Sequence, residues 1–426
     1  MTAATALPIF RWNWLTSASV GKSGCSAPAG ALDQPNGTTK YRFDGRAAEQ
    51  SDQLSEHLDR SRPPRIALYS HDTLGLGHVR RNLLIAQALA NSPLRATTLL
   101  ITGAHAANFF TLPPGVDCLT LPRLQKKDSG DYESAQLDIS LQELARLRTN
   151  SIRVAIEEFR PDLLIVDKVP VGAFGELLPA LSAIQAAGRT RCVFGLRDVL
   201  DDPATVAREC LCDENLQAIE QFYDAVWVYG DKDVYDLVSE YQLPEQIRAK
   251  TQFTGYLDQS GRLELVARRA MGDLSPGPGN LPLAVCVLGG GQDGAAIADT
   301  FVDALPGDKM RGVIVAGPFM PRTSLDRLRQ KASRVANLTV VDFSPEADLL
   351  IREADHVVAM AGYNTVCSIL SFGKRALLVP RAAPRREQLL RAQRLAQRDI
   401  VDVICTEELD VSHMHNWLCS TDAARA

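Results

Sequence analysis

The sequence predicts an α/β protein made of two open parallel-sheet domains that face each other across a cleft. Three observations lead there. Short apolar runs of strand length alternate with segments whose apolar residues recur at helical spacing, from Arg65 to Gly255 and again from Leu283 to Cys405. Each half opens with the same device, a buried-strand run passing into a Gly-rich turn: RIALYS before His71–His78, and LAVCVL before Gly289–Gly291. Between the halves, Met271–Pro282 contains Gly272, Pro276, Gly277, Pro278, Gly279 and Pro282, the composition of an interdomain linker. The class expected is therefore two Rossmann-like domains, spanning 65–257 and 283–405 and joined by a linker over 258–282.

The bulk properties fit that class. A chain of 426 residues holds two domains of ordinary size, and 46% hydrophobic with 23% charged residues is a globular composition. The formal net charge of −5 gives no reason to expect a nucleic-acid partner. No apolar run approaches the roughly 18 residues of a membrane span. Arg11 and Asn13 interrupt the apolar N-terminus, no basic stretch precedes it, and no cleaved signal is expected. Nine Cys without a C-x-x-C pair read as free thiols in a reducing, cytoplasmic setting. Residues 1–62 are rich in Ala, Ser, Gly and polar residues and are expected to be a disordered extension. Gly21-Lys22-Ser23 within it is not a P-loop, because the first Gly of that pattern falls on Thr16 and no strand precedes it.

In the first half, Arg65–Ser70 is the first strand. Val79, Leu83, Ala86 and Leu89 mark a helix after the Gly-rich turn. Strands follow at Thr97–Thr102 and Val116–Thr120, with a short helix between them at Ala104–Phe110. Residues 122–136 are polar and read as a mobile loop. Leu137–Phe159 is a long amphipathic helix. Asp162–Asp167, Cys192–Leu196, Ala225–Tyr229 and Thr251–Gly255 are strands, with helices at Phe174–Ala187, Pro203–Tyr223 and Lys232–Glu240 between them. In the second half, strands are expected at Leu283–Leu288, Val313–Ala316, Leu338–Val341, His356–Val358, Ala376–Pro380 and Ile400–Cys405. A closing helix and tail occupy 406–426.

Ligands of open α/β sheets bind at the C-terminal ends of the strands. The cleft between the domains is thus the expected site, and a phosphorylated ligand suits its Gly-rich turns and helix N-termini. His78 stands on the first turn. A neutral imidazole there can take a proton from an attacking hydroxyl, cap the turn, or bind an acceptor. His71 and Asp72 are the other candidates on that turn, and Asp167 and Asp198 end strands where either could orient a His or form a loop ion pair. Gly289, Gly290 and Gly291 let the backbone approach a diphosphate, or simply form a tight turn. Gly362, Asn364 and Thr365 open a helix beside Arg381, Arg385 and Arg386. Arg391, Arg394 and Arg398 recur at helical spacing and read as a solvated face.

The order of Gly77-His78, Gly289-Gly290-Gly291-Gln292 and the block Gly362–Gln388 resembles glycosyltransferases of the GT-B fold, nearest to family 28 (MurG-type). The resemblance covers roughly residues 65–405. It implies that the C-terminal half binds a nucleoside-diphosphate sugar, UDP-linked, and that the N-terminal half binds the acceptor and supplies His78 as catalytic base. Implied donor-binding residues are Gly289, Gly290, Gly291, Gln292, Gly362, Asn364, Thr365, Ser368, Arg381, Glu387 and Gln388. His71, Asp72, Gly75, Gly77, Arg80 and Arg81 would line the acceptor side. Ser368 stands where such enzymes carry a ribose-binding Glu, and a hydroxyl cannot match a carboxylate that accepts two hydrogen bonds. Asp293 is inserted before Gly294, and Tyr256 replaces the Asn of a Thr-Gly-Asn turn. No metal is expected, and no cofactor beyond the donor. Inverting chemistry is preferred, since Leu395 rather than Glu follows Glu387 by eight positions. The acceptor is left open between a lipid-linked and a small molecule; the first implies peripheral contact with a membrane. Two alternatives remain, a nucleotide-sugar epimerase or hydrolase and a non-catalytic nucleotide-sugar sensor.

Overall fold

The computed structural model describes residues 9–10, 62–71, 77–104, 110–126, 132–261, 281–344 and 346–420. Strand β1 (Ile9–Phe10) pairs in parallel with β11 (Tyr256–Leu257), so two residues of the segment expected to lack structure are paired. The first domain is a seven-stranded sheet of β2 (Arg65–Ser70), β3 (Thr97–Thr102), β4 (Val116–Thr120), β7 (Leu163–Asp167), β8 (Arg191–Arg197), β9 (Ala225–Tyr229) and β10 (Thr251–Phe253). Its order is β10-β9-β8-β7-β2-β3-β4, and every pairing is parallel. The second sheet has six strands: β12 (Leu283–Val287), β13 (Arg311–Val315), β14 (Leu338–Val341), β15 (His356–Ala359), β16 (Arg375–Leu378) and β17 (Asp402–Val403), in the order β14-β13-β12-β15-β16-β17. It too is parallel throughout.

Both sheets reverse direction of growth after their third strand. The first strand of each domain, β2 or β12, lies between the second and the fourth, so each sheet has a switch point, at β2/β7 and at β12/β15. Helices cannot cover the C-terminal edge at such a point, and a crevice opens there. β7, β9 and β12 are buried along their whole length, as parallel strands with helices on both faces must be.

The residues of 122–136 form more than a loop. β5 (Leu124–Lys126) pairs antiparallel with β6 (Tyr132–Ser134), while 127–131 lie outside the described residues. Ser140 then starts helix Leu141–Phe159 with a capping box, its hydroxyl accepting from the Glu143 N–H. The long helix expected at Pro203–Tyr223 is two, Pro203–Glu209 and Asp213–Phe222, and Asp202 caps the first. The domains are not independent bodies. Helix Gly77–Asn91 packs on helix Tyr363–Ser371, and one apolar cluster runs from Val79 and Leu83 through Tyr256 to Val366 and Ile369.

Candidate active site

β7 ends in Asp167 and β2 in Ser70, so the first switch point delivers a carboxylate and the turn that carries His78 to the same place. His78 Nδ1 lies 2.8 Å from Asp167 Oδ2, and Arg81 Nη2 reaches the same oxygen at 2.7 Å. Arg81 Nη2 is also 2.8 Å from His78 Nδ1. A lone pair on Nδ1 would face the carboxylate, so the N–H sits there and the basic lone pair on Nε2. Burial raises the pKa of Asp167, but the charge of Arg81 and the His78 contact outweigh it and hold the carboxyl well below its ordinary range. The aspartate is thus a fixed anion that orients His78. The ring of His71 lies 5.6 Å from that of His78, and burial, then His78, push its pKa down to about 3. His71 is a neutral neighbour. Asp72 and Gly75 lie outside the described residues.

Two acceptor-side expectations are corrected here. Arg81 is buried and holds Asp167, so it lines no open surface. Arg80 crosses to the other domain, with Nη2 2.5 Å from Asp348 Oδ2. Asp348 is itself buried and accepts from Ser368 Oγ at 2.7 Å. Ser368 is fully buried as well, 3.0 Å from the Asn364 carbonyl. The hydroxyl predicted to stand beside a ribose instead faces inward, where Asp348 and the Asn364 carbonyl accept from it.

On the second domain, the turn after β12 leaves Gly289, Gly290 and Gln292 exposed. Gly291 is inside, at φ +89°, and a Cβ there would lie 2.4 Å from the Ala316 carbonyl oxygen. Its role is the tight turn. The turn after β15 brings Gly362 and helix Tyr363–Ser371, where Asn364 donates to the Gly77 carbonyl at 3.1 Å and ties the two switch points together. Asn364 Oδ1 is buried without a hydrogen-bond partner. Thr365 is half-buried one turn position further.

The Arg-rich block is also engaged across the cleft. Arg197, at the end of β8, sits 2.7 Å from Glu387 Oε2. Arg391 is fully buried and donates to Asp198 at 2.7–3.0 Å, with further bonds to the Ala361 and Val199 carbonyls. Arg385 reaches Asp201 and Glu209, and Arg394 reaches Glu240. The expectation of a solvated Arg face holds at exposed Arg398 and fails at Arg391, which helix Glu387–Ala396 turns into the domain interface, where acids of the first domain meet it. Arg381 pairs with Asp293 at 2.7 Å, and its N–H donates to Gln388 Oε1 at 3.2 Å. Glu387 is pulled upward by burial, yet Arg197, Arg391, Lys168 and Arg381 together lower its pKa. Among the described residues, no group of three or more His, Cys, Asp and Glu is placed to hold a metal ion.

Tyr363 was not singled out by its sequence. Its ring lies between the guanidinium groups of Arg81 (5.4 Å) and Arg391 (5.7 Å), and stacks on Tyr256 at 6.3 Å. An aromatic residue at the second position of a Gly-Tyr-Asn turn is the only signal the sequence offered. It links the His78–Asp167 pair to the Asp198–Arg391 pair through two cation–π contacts.

Residues 284–420 match the profile of the glycosyltransferase family 28 C-terminal domain. The chain superposes on the glycotransferase of kitacinnamycin with a TM-score of 0.55 at 16% identity, covering 85% of this chain and 92% of the other. The fold is GT-B, and the family 28 match lies in its second domain. A UDP-N-acetylglucosamine--N-acetylmuramyl-(pentapeptide) pyrophosphoryl-undecaprenol N-acetylglucosamine transferase of Phenylobacterium zucineum (strain HLK1) is 30% identical over 156 residues, 35% of this chain and 43% of that protein. The match thus spans less than half of the relative's length. The GT-B fold is shared with a putative UDP-N-acetylglucosamine 2-epimerase from Listeria monocytogenes, at TM-score 0.55, 12% identity and coverage of 85% and 89%.

Proposed function

We propose that the protein transfers a sugar from a nucleoside-diphosphate sugar, UDP-linked, to an acceptor hydroxyl, with inversion at C1 and without a metal. The observation that carries this reading is the His78–Asp167 pair at one switch point, tied through Gly77 and Asn364 to the Gly-rich turns at the other. The family 28 match of the second domain supports a nucleotide-sugar donor on that side.

The acceptor oxygen attacks C1 while His78 Nε2 takes its proton. The C1–O bond to the diphosphate breaks, and the electron pair leaves with the diphosphate. Asp167 stabilises the imidazolium that forms. The leaving charge meets backbone N–H groups of Gly289 and Gly290 and the N-terminus of helix Tyr363–Ser371. One displacement inverts the anomeric centre.

The His78–Asp167 geometry favours this reading over an epimerase, which needs further acid and base groups at the sugar. The acceptor is either lipid-linked, with the protein at the cytoplasmic membrane surface, or a small molecule; among the described residues no helix is long and apolar enough to cross a membrane. The test is NMR of products from a panel of nucleotide sugars, with a lipid-linked and a small-molecule acceptor arm and with EDTA present. An inverted glycoside, formed equally well in EDTA, is expected. An epimer or free sugar released without acceptor, or a retained anomer, would overturn the proposal.

A further inference from the structure

Helix Gly77–Asn91 carries Arg81 three positions after His78, on the same face, so both side chains aim at the end of β7. Arg81 and Asp167 are buried, at 2% and 1% exposed. One guanidinium nitrogen, Nη2, lies 2.7 Å from Asp167 Oδ2 and 2.8 Å from His78 Nδ1, and Nδ1 lies 2.8 Å from the same carboxylate oxygen. The three atoms form a triangle. The N–H groups of Nδ1 and Nη2 converge on Oδ2 and cannot donate to each other.

The charges beside His78 therefore oppose one another. A carboxylate alone favours the imidazolium, which has no lone pair left to take a proton; a guanidinium at the same distance favours the neutral ring. Burial works against the charge of Arg81, but Asp167 outweighs it and the guanidinium stays charged. The other groups at this place leave that balance alone. His71, pushed down by burial, is neutral. Burial pushes Tyr229 and Tyr363 up, and both keep their protons. Arg80 points away to Asp348, and Lys168, next to Asp167 in the chain, acts on His71.

Hydrogen bonds alone do not hold Arg81. Its Nε is buried without a hydrogen-bond partner, and its guanidinium lies 5.4 Å from the ring centroid of Tyr363, a residue of the second domain. That ring is fixed in turn. Tyr256 stacks on it at 6.3 Å, and Arg391 approaches it at 5.7 Å while bonded to Asp198 and to the Ala361 carbonyl.

We propose that Arg81 is a positioning residue for His78. Its guanidinium fixes the Asp167 carboxylate and offsets its charge, so that His78 stays a neutral base, and the Tyr363 ring of the second domain holds the guanidinium in place. The inference rests on the reading of His78 as base, but its readout needs no turnover.

NMR of protein labelled with 15N-histidine follows the His78 ring through pH, with His78→Ala to assign its signal. Arg81→Met is expected to raise the His78 midpoint by about one pH unit or more, the scale of a carboxylate freed of its cation. Arg81→Lys should raise it less, because the ammonium keeps the charge without the planar fork. Arg81→Met combined with Asp167→Asn should return the midpoint toward wild type, and Asp167→Asn alone should lie below both. Tyr363→Leu should raise it, while Tyr363→Phe, which keeps the ring, should not. The acid limb of the transfer rate should move with the NMR midpoint. No rise in Arg81→Met, or a rise that the double variant retains, overturns the role of Arg81. A Tyr363→Leu midpoint equal to wild type overturns the role of the ring. Should Arg81→Met fail to fold, Asp167→Asn against the double variant decides, and equal midpoints overturn the proposal. The expected shifts support it even if transfer survives His78→Ala, an outcome that would sink the base reading instead.

Discussion

Replacing Asp198 with Ala should destabilise both domains together. Arg391 is fully buried, and its guanidinium makes three contacts of 2.7–3.0 Å with the two carboxylate oxygens. At an effective dielectric constant of about 20, opposite charges this close attract by roughly 4–5 kcal/mol. Removing Asp198 also leaves the charge without water to replace it, and breaking one side of a buried pair costs about 3–5 kcal/mol. The Tyr256 hydroxyl, which donates to Asp198 at 3.2 Å, loses its acceptor as well. Asp198 follows β8, while Arg391 belongs to the second domain, so the loss falls on the interface. Urea unfolding should be followed at Trp227, buried in the first sheet, and at Trp417, packed against the second, with the other Trp residues substituted in turn. Both transitions should move to lower urea together, each reporting a loss of about 3–5 kcal/mol in unfolding free energy. The pair Asp198→Ala with Arg391→Met should lose less than the sum of the single changes, because no charge is stranded. A loss below about 1 kcal/mol, or strict additivity, would refute the view that this pair joins the domains.

Four further outcomes follow from the same geometry. Ser368→Glu should lower stability by about 2 kcal/mol or more without raising UDP affinity, since it forces a second carboxylate against buried Asp348; Asp348→Ala in the same chain should relieve part of that loss, and a gain in UDP affinity by calorimetry would show the helix misread. Gly291→Ala should cost about 2–3 kcal/mol in chemical unfolding, because φ is +89° and the Cβ meets backbone rather than a side chain that can move. Asp167→Asn should reduce transfer by about three orders of magnitude and leave donor affinity nearly unchanged, as the amide cannot hold the same His78 tautomer or offset an imidazolium. His71 has a folded pKa of about 3, below its ordinary 6.5, so the unfolded chain binds the extra proton between those values. Stability due to His71 is complete above about pH 6.5 and is lost as pH falls toward 3; His71→Asn should flatten that slope in unfolding experiments across this range.

The two-sheet architecture was legible because parallel strands buried on both faces read as continuous apolar runs, as in LLIVD and LAVCV, and because each domain begins with a Gly-rich turn. The same turns brought out Gly77, His78, Gly289 and Gly362. Strand order was not legible, and so neither was the pairing of Asp167 with His78, which depends on β7 lying beside β2. Surface patterning misled at Arg391. Helical spacing of Arg residues describes a solvated face and an interface equally well, and only the acids on the facing domain, Asp198, Asp201, Glu209 and Glu240, distinguish them. The position of Ser368 in its motif carries no information on its partner. Its neighbour Asp348 lies 20 residues away, on another helix, and turns the hydroxyl inward. Tyr363 carried no motif, and its meaning comes from what surrounds it.

The central claim is that His78, held by Asp167, is the base of a sugar transfer in the interdomain cleft. It is tested most directly by the rate of transfer under saturating donor in wild type and in His78→Ala, with donor affinity measured on both proteins. The account predicts a fall of about two to four orders of magnitude in rate, the scale of general-base catalysis, with donor affinity within about twofold. Transfer that survives His78→Ala at the wild-type rate, or that is lost only because donor no longer binds, would contradict it.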